Sequence, residues 1–384
     1  MGYQSIDKLQ QTLAQTVFNY AKDSKKAAGR ALGTLIEIIT FYILKDWGLE
    51  GNTRIEKGLI EYRNSAISHN VEYTLHPLKQ VVELEVPNQA PLTSTKIINA
   101  LASSKKNSFD LKRFTKTSSV LYSNFNTIKN ACVIARSNNS SLVAVIKEMK
   151  GGHIKIIITE QIEKPFAMAE CKRVGVEEGN KKGPQTIEKA KQGAYVARSV
   201  SSLQKVRNVK GVVYGILPLA NGTFRFEEYD KLLNEIITTD DKRVFQDFIL
   251  TIGVVSNHGN WFTSDNPNKE LVVLRDAYDW LLFLTDAGIA TFIDELLLNP
   301  SKEYSEVKKA FLASYSGNSQ LIKKYGKNQF TKAQMNKEAD LLLQRYFREN
   351  RNKIADWINI LTPVKKSLDD LRFQLNQLNK KDWN

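Results

Sequence analysis

Apolar residues recur at helical spacing through the first fifty positions. Leu9, Leu13, Val17 and Tyr20 form one stripe, and Ala27, Ala28, Leu32, Leu35, Ile36, Ile39, Tyr42, Ile43 and Leu44 form a longer one. The spacing predicts two helices within residues 5–47, with Ser5 and Asp7 at the first N-terminus and Gly48 as the stop. Further along, residues 54–65 read as helix, 81–86 as strand and 97–103 as a short helix. The runs 128–135 and 142–149 suit helix or strand equally. Two apolar runs, His153–Thr159 and Phe166–Ala169, are separated by a charged stretch with Pro165 and predict a β-hairpin. A glycine-rich loop then leads to a helix from Gln185 to about Leu203. Val209–Leu217 follows as a buried strand, closed by Pro218 and an Asn221-Gly222 turn. Beyond Tyr229 the pattern is mostly helical, over 229–238, 241–253, 270–298, 303–324, 331–359 and 364–378. In the last of these Leu368, Leu371, Leu375 and Leu378 share one face, a core face or a partner face.

The alternation predicts a mixed α/β (α+β) fold: a central mixed sheet flanked by helices, with a largely helical C-terminal region. At 384 residues the chain is long enough for two or three lobes. We divide it into a mainly helical part at 1–90, a core at 91–228 and a helical region at 229–384. No apolar run is expected to reach the length of a membrane span, and the polar start lacks the apolar stretch of a secretory signal. Two cysteines, Cys132 and Cys171, make neither a disulfide framework nor a Cys-rich zinc site, which fits a cytoplasmic protein.

Charge changes the picture most. The formal net charge is +14, a surplus that favours a polyanionic partner, and nucleic acid is the commonest. The surplus is concentrated. Between Glu170 and Lys210 stand ten Lys or Arg against four Glu. A second basic stretch, Ser103–Ser118, interleaves Lys112, Arg113 and Lys116 with Phe109 and Phe114, and suits phosphate contact or a solvated loop.

Candidate chemistry sits where the second run of the expected hairpin ends. Glu170 and Lys172 fall on one face of the strand, with Cys171 on the other. Two charges at the end of an apolar strand are costly unless paired or functional. In a basic protein, a carboxylate beside a lysine suits phosphodiester hydrolysis. Carboxylates hold Mg²⁺ through hard oxygens, and the lysine orients water or offsets charge on the phosphate. No His-x-x-x-His, Cys-x-x-Cys, G-x-S-x-G or P-loop pattern competes with it.

Ala169-Glu170-Cys171-Lys172, with an apolar hairpin before it and a Gln- and Lys-bearing helix and a buried strand after it, resembles the PD-(D/E)xK nuclease superfamily. Its size, charge and helical flanks are most similar to a type II restriction endonuclease. The resemblance covers roughly residues 26–217. It implies a sheet of that superfamily's type, Mg²⁺ as cofactor, double-stranded DNA as substrate and a homodimer. It also implies an acidic residue on the first core helix, which Glu37 matches, and a first metal-binding acid, usually Asp, on the preceding strand. No Asp lies between Asp110 and Glu170. Glu160 and Asp110 are therefore both open as that acid, with Glu148 a third choice. Gln185 is a supporting candidate. Lys112, Arg113, Lys116, Arg173, Lys181 and Lys182 are candidates for DNA contact. The expected activity is Mg²⁺-dependent, site-specific cleavage of DNA, without a small-molecule cofactor or a membrane. The alternatives are a non-catalytic nucleic-acid-binding protein and a structure-specific or RNA-directed nuclease on the same core.

Overall fold

The computed structural model describes residues 6–61, 64–173, 184–219, 221–256, 269–326 and 328–383. Its eighteen described strands fall into four sheets. A six-stranded sheet has the order β1 (Thr53–Ile60), β2 (Ser68–Leu75), β11 (Ala167–Arg173), β15 (Leu250–Ser256), β16 (Trp280–Leu284) and β18 (Ile358–Thr362). A five-stranded sheet runs β3 (Leu78–Pro87), β10 (His153–Ile162), β9 (Ser140–Lys150), β8 (Cys132–Arg136) and β5 (Thr115–Lys116). A three-stranded sheet holds β12 (Gln204–Arg207), β13 (Val213–Pro218) and β14 (Phe224–Glu228). A four-stranded one runs β17 (Gln334–Asn336), β7 (Thr127–Lys129), β6 (Val120–Tyr122) and β4 (Leu92–Thr93).

The helices are α1 (Ile6–Thr16), α2 (Ser24–Asp46), α3 (Ser94–Ala102), α4 (Pro184–Val200), α5 (Tyr229–Thr238), α6 (Lys242–Phe245), α7 (Lys269–Ala277), α8 (Asp286–Ile293), α9 (Ser305–Tyr315), α10 (Ser319–Tyr325), α11 (Lys337–Glu349), α12 (Arg351–Ala355) and α13 (Leu368–Lys380). The fold is mixed α+β, with a mixed sheet, flanking helices and a helical C-terminal region.

The chain divides into two compact units. One comprises residues 1–55, 78–163 and 284–358; the other comprises 56–77, 164–283 and 359–384. Each unit draws on all three linear stretches, 1–90, 91–228 and 229–384.

In the first unit α2 is a core helix. Asp23 caps it by accepting the Lys26 N–H at 2.9 Å. Among the described residues α2 has the length and hydropathy to cross a membrane, contrary to the expectation that no segment would. Eleven of its residues are buried, so protein covers its apolar faces. Lys45 near its end ties it to α11. The ammonium lies 3.0 Å from Asp340 and 2.7 Å from Glu50, and Asp340 also accepts the Tyr42 hydroxyl at 2.7 Å and the Gln344 amide at 2.7 Å. Breaking such a network leaves charge buried and unpaired. Asp340→Ala is expected to lower unfolding free energy by about 3–5 kcal/mol, read from urea denaturation. A loss below about 1 kcal/mol would show that the network does not hold the helix.

The two runs expected as one hairpin belong to different sheets. β10 pairs with β3 on one side and β9 on the other, and β11 pairs with β2 and β15. The chain changes sheets across Glu163-Lys164-Pro165. The Glu163 N–H stays with the five-stranded sheet, donating to Asn139 O in the β8–β9 loop at 2.9 Å, and the Phe166 N–H donates to Leu75 O of the six-stranded sheet at 2.8 Å. Proline can donate nothing to a ladder, so the break falls there.

Four further expectations change in the second unit, the first being the helix expected over 270–298, which the strand β16 (Trp280–Leu284) interrupts. Residues 54–65 were read as helix, but β1 is a strand. Gly58 faces β2 closely, where a Cβ would lie 3.3 Å from Asn70 Oδ1. Residues 241–253 form only the single turn α6 before β15, whose seven residues are all buried. A strand buried on both faces carries a continuous apolar run that imitates helix. The stretch Val209–Leu217 was read as one buried strand, yet Val209 lies fully exposed in the turn before β13.

Candidate active site

The site grows from the pairing of β2 with β11. The antiparallel register sets Ala167 opposite Leu75, Met168 opposite Thr74 and Ala169 opposite Tyr73. The registered pairing ends there, and Glu72 and Glu170 are the next residues of the two strands. On the other side of β11 the parallel register pairs Glu170 with Gly253 and Lys172 with Val255. Glu170 thus has Gly253 beside it on β15, while Glu72 comes close from β2 through Lys172 and the Cys171 N–H.

The Lys172 ammonium lies 2.6 Å from Glu170 Oε1 and 3.6 Å from Glu72 Oε1. Glu72 Oε2 accepts the Cys171 N–H at 3.2 Å. The Glu170 side chain is 5% exposed, Glu72 13% and Lys172 27%, so the lysine reaches solvent and the carboxylates lie beneath it. Glu170 Oε2 is buried and accepts no hydrogen bond among the described residues.

These contacts set the protonation. Burial pushes the Glu170 carboxyl up, Glu72 pushes it further, and Lys172 opposes both; the result is a pKa of about 8. Burial pulls the Lys172 ammonium down, but the attraction of Glu170 and Glu72 outweighs it and the pKa is raised. Two carboxylates and one ammonium carry a net negative charge when all are ionised. Near neutrality the cluster takes up a proton, and a cation held there would displace it.

The Lys45–Glu50–Asp340 network has the same two-carboxylate, one-lysine composition. Both Asp340 oxygens have donors there, from Tyr42, Lys45 and Gln344, and the network ties two helices together. Glu170 differs in leaving an oxygen without a donor. That orphaned oxygen fits a hard divalent cation, which takes oxygen ligands and completes its shell with water and phosphate. Glu170 and Glu72 are the residues that would hold it. Among the described residues no group of three or more His, Cys, Asp or Glu side chains is gathered at a metal-binding spacing.

The other sequence candidates fall elsewhere. Asp110 belongs to the first unit, is exposed, and caps the turn Leu111–Arg113 by accepting the Lys112 N–H at 3.3 Å. Glu160 also belongs to the first unit and is fully buried. Its Oε1 accepts Arg113 Nη2 at 2.5 Å and the Ser140 hydroxyl at 2.8 Å. Glu160 was expected on a hairpin facing Glu170; the change of sheet at Pro165 removes that relation. Glu148 is exposed on β9, opposite Lys155. Glu37 pairs with Lys332 at 3.3 Å in the first unit.

Lys112 and Lys116 are exposed, and Arg113 is held by Glu160. Arg173 ends β11, half-buried. Gln185 lies in the first turn of α4. Lys181 and Lys182 lie outside the described residues. Sequence reasoning missed Glu72. Its local signal, alternation through Val71, Tyr73 and Leu75, was present, but nothing nearby indicates which strand it joins.

No protein-family model, curated protein sequence or solved structure matches this chain.

Proposed function

We propose that the protein is a Mg²⁺-dependent endonuclease that hydrolyses DNA phosphodiester bonds, in the manner of a type II restriction enzyme. The observation that carries this reading is the Glu72–Glu170–Lys172 cluster with its unsatisfied buried oxygen. The +14 charge supports a polyanionic substrate. In this reading Glu72, rather than Asp110, Glu160 or Glu148, takes the place of the first acid. Mg²⁺ would be held by Glu72 and Glu170 and would supply Lewis-acid polarisation of the phosphate.

The chain's own residues do the rest. Glu170, held off full ionisation by burial and Glu72, offers its buried Oε2 as a ligand. Lys172 neutralises one carboxylate at rest and, partly exposed, can turn its remaining N–H groups to water or to a non-bridging phosphate oxygen. Exposed Lys112 and Lys116 supply sequence-independent phosphate contacts in the first unit. A two-fold protein matches a palindromic site, so a symmetric dimer belongs to the proposal.

Incubation with supercoiled plasmid and Mg²⁺ tests it. Discrete fragments are expected, with loss of cleavage in Lys172→Ala and retention of DNA in a gel-shift assay without metal. Unspecific degradation would favour a structure-specific nuclease, and degradation of RNA alone an RNA-directed one. Salt-sensitive binding without cleavage would favour the non-catalytic alternative. Normal cleavage by Lys172→Ala would sink the assignment of the site.

A further inference from the structure

The three-stranded sheet of the second unit carries its polarity the wrong way round. In an antiparallel sheet with one face on a core, alternation places apolar side chains inward and charged ones outward. Here the register sets Val206 opposite Tyr214, Ile216 opposite Phe226 and Pro218 opposite Phe224, so these six residues share one face. That face is the outer one: Phe224 is 67% exposed, Phe226 53% and Val206 42%. The other face lies on α5. Leu217 is buried there, and a Cβ at Gly215 would lie 2.9 Å from Leu232 Cδ1. The charged residues of the strands alternate to this inner side. The Lys205 ammonium donates to the carbonyls of Tyr278 and, at 3.2 Å, of Arg275. Arg207 pairs with Asp276, and Arg225 with Glu235 of α5. An apolar face left in water while its charges are turned inward marks a binding surface.

The rings on that face have a defined arrangement. Tyr214 and Phe226 stack, with centres 5.0 Å apart and planes within 11° of parallel. The exposure of Phe226 leaves the stack open to solvent, and Phe224 stands two residues away on the same strand. An open stack is continued by another flat π-face, and every nucleobase has one. The charge around the face suits the phosphates that come with bases. Exposed Lys210 stands in the turn between β12 and β13. Exposed Arg198 stands where Gln204, opposite Ile216, donates to its carbonyl at 3.0 Å. The acid at the level of Tyr214, Glu228, lies 3.5 Å from Lys231. The size of the face decides against a second copy of the chain. Three strands about 4.8 Å apart and about 17 Å long present roughly 240 Å². Each partner in a stable dimer buries ~800 Å², whereas sheet faces of similar width seat two or three bases.

We propose that the outer face of the β12–β14 sheet is a stacking platform for the unpaired bases of a single-stranded nucleic acid, with Arg198 and Lys210 meeting the flanking phosphates. None of Glu72, Glu170 and Lys172 takes part, and the binding requires neither a metal nor cleavage.

Fluorescence anisotropy on the full chain, in EDTA, tests this. The probe is an oligothymidylate of about 12 nucleotides. Its control is an abasic deoxyribose-phosphate strand of the same length, with the charge but no bases. The wild type is expected to bind the oligothymidylate about tenfold or more tightly than the abasic strand. Phe226→Ala is expected to weaken oligothymidylate binding by about 5- to 150-fold and to leave abasic binding unchanged. Phe226→Leu, apolar but without a π-face, should weaken it likewise, and Phe226→Tyr should retain it. Phe224→Ala is an independent second variant with the same expected direction. Both side chains face solvent, so the circular dichroism signal should be unaltered. An oligouridylate alongside distinguishes RNA from DNA as the source of the bases; tight, base-dependent binding of either upholds the platform.

Equal affinity of the wild type for base-bearing and abasic strands overturns it. So does wild-type affinity in Phe226→Ala, or full affinity in Phe226→Leu, which would show an apolar contact without stacking. A light-scattering mass that falls from dimer to monomer in Phe226→Ala, with nucleic-acid binding unaltered, would give the face to a second copy instead.

Discussion

Glu72→Ala is expected to reduce Mg²⁺-dependent plasmid cleavage by a factor of about 10³ or more, while Asp110→Ala leaves it unchanged. The contrast follows from where each carboxylate is spent. The Glu72 oxygens meet the Lys172 ammonium, which also holds Glu170, and the Cys171 N–H. Its removal leaves Lys172 with a single partner and any cation with a single protein ligand. Asp110 is exposed and spends one oxygen on a backbone N–H of its own turn. Glu72→Ala should also fold well, since its loss removes one of two like charges from the cluster. Cleavage rates at saturating Mg²⁺, with melting curves alongside, decide the matter. Full activity in Glu72→Ala would move the second acid elsewhere.

The second large effect is on stability. In the metal-free protein the folded-state pKa of Glu170 is about 8, above the ordinary value of 4.5. Between these values the folded chain holds a proton that the unfolded chain has released. That contribution to stability is full below the ordinary carboxylate range and disappears as pH rises toward 8. Metal-free protein should therefore lose stability from pH 5 to pH 8, with a slope of at most about 1.4 kcal/mol per pH unit from this group.

Glu170→Gln keeps the shape, adds an N–H₂ donor toward Glu72 and cannot ionise. It should flatten that part of the slope and stabilise the metal-free protein at pH 8 by up to a few kcal/mol, the linkage of a carboxyl whose pKa is raised to about 8. Mg²⁺ should raise the melting temperature of the wild type at pH 8 and leave Glu170→Gln unmoved. Melts in EDTA and in Mg²⁺ across this range read both effects. Parallel curves for the two proteins would show that Glu170 is not held in the state described. A residue whose replacement stabilises the fold while removing activity is one kept for function.

The legibility of this chain follows the range of its contacts. α2 was readable because its stripe of Ala, Leu and Ile repeats within the helix itself. Glu170 and Lys172 were readable because a strand's alternation needs only three residues. Glu72 was not, because its partner strand enters about a hundred residues later and pairing carries no local mark. The stretch before it was lost for a different reason. Residues 54–65 mix charged and apolar residues in an order that suits either period, and the close approach at Gly58 decides for strand. β15 was hidden by its own burial: Leu250–Ser256 is apolar on both faces, which erases the alternation that identifies a strand.

The interleaved make-up of the unit that carries Glu72, Glu170 and Lys172 bears on how the protein comes into being. Glu72 and Cys171 are 99 positions apart, and β11 also needs β15 beside it. The last segment of that unit closes over its interior: the Trp383 ring lies 6.3 Å from Phe166, at the foot of β11, and 5.0 Å from Phe245. Such distant pairings form slowly, because the entropy of closing long loops is lost before the contacts can compensate. On the ribosome, β2 emerges long before the strand it must meet and remains an unpaired edge until then. Synthesis of this chain therefore passes through a stage in which Glu72 is made and its partners on β11 are not.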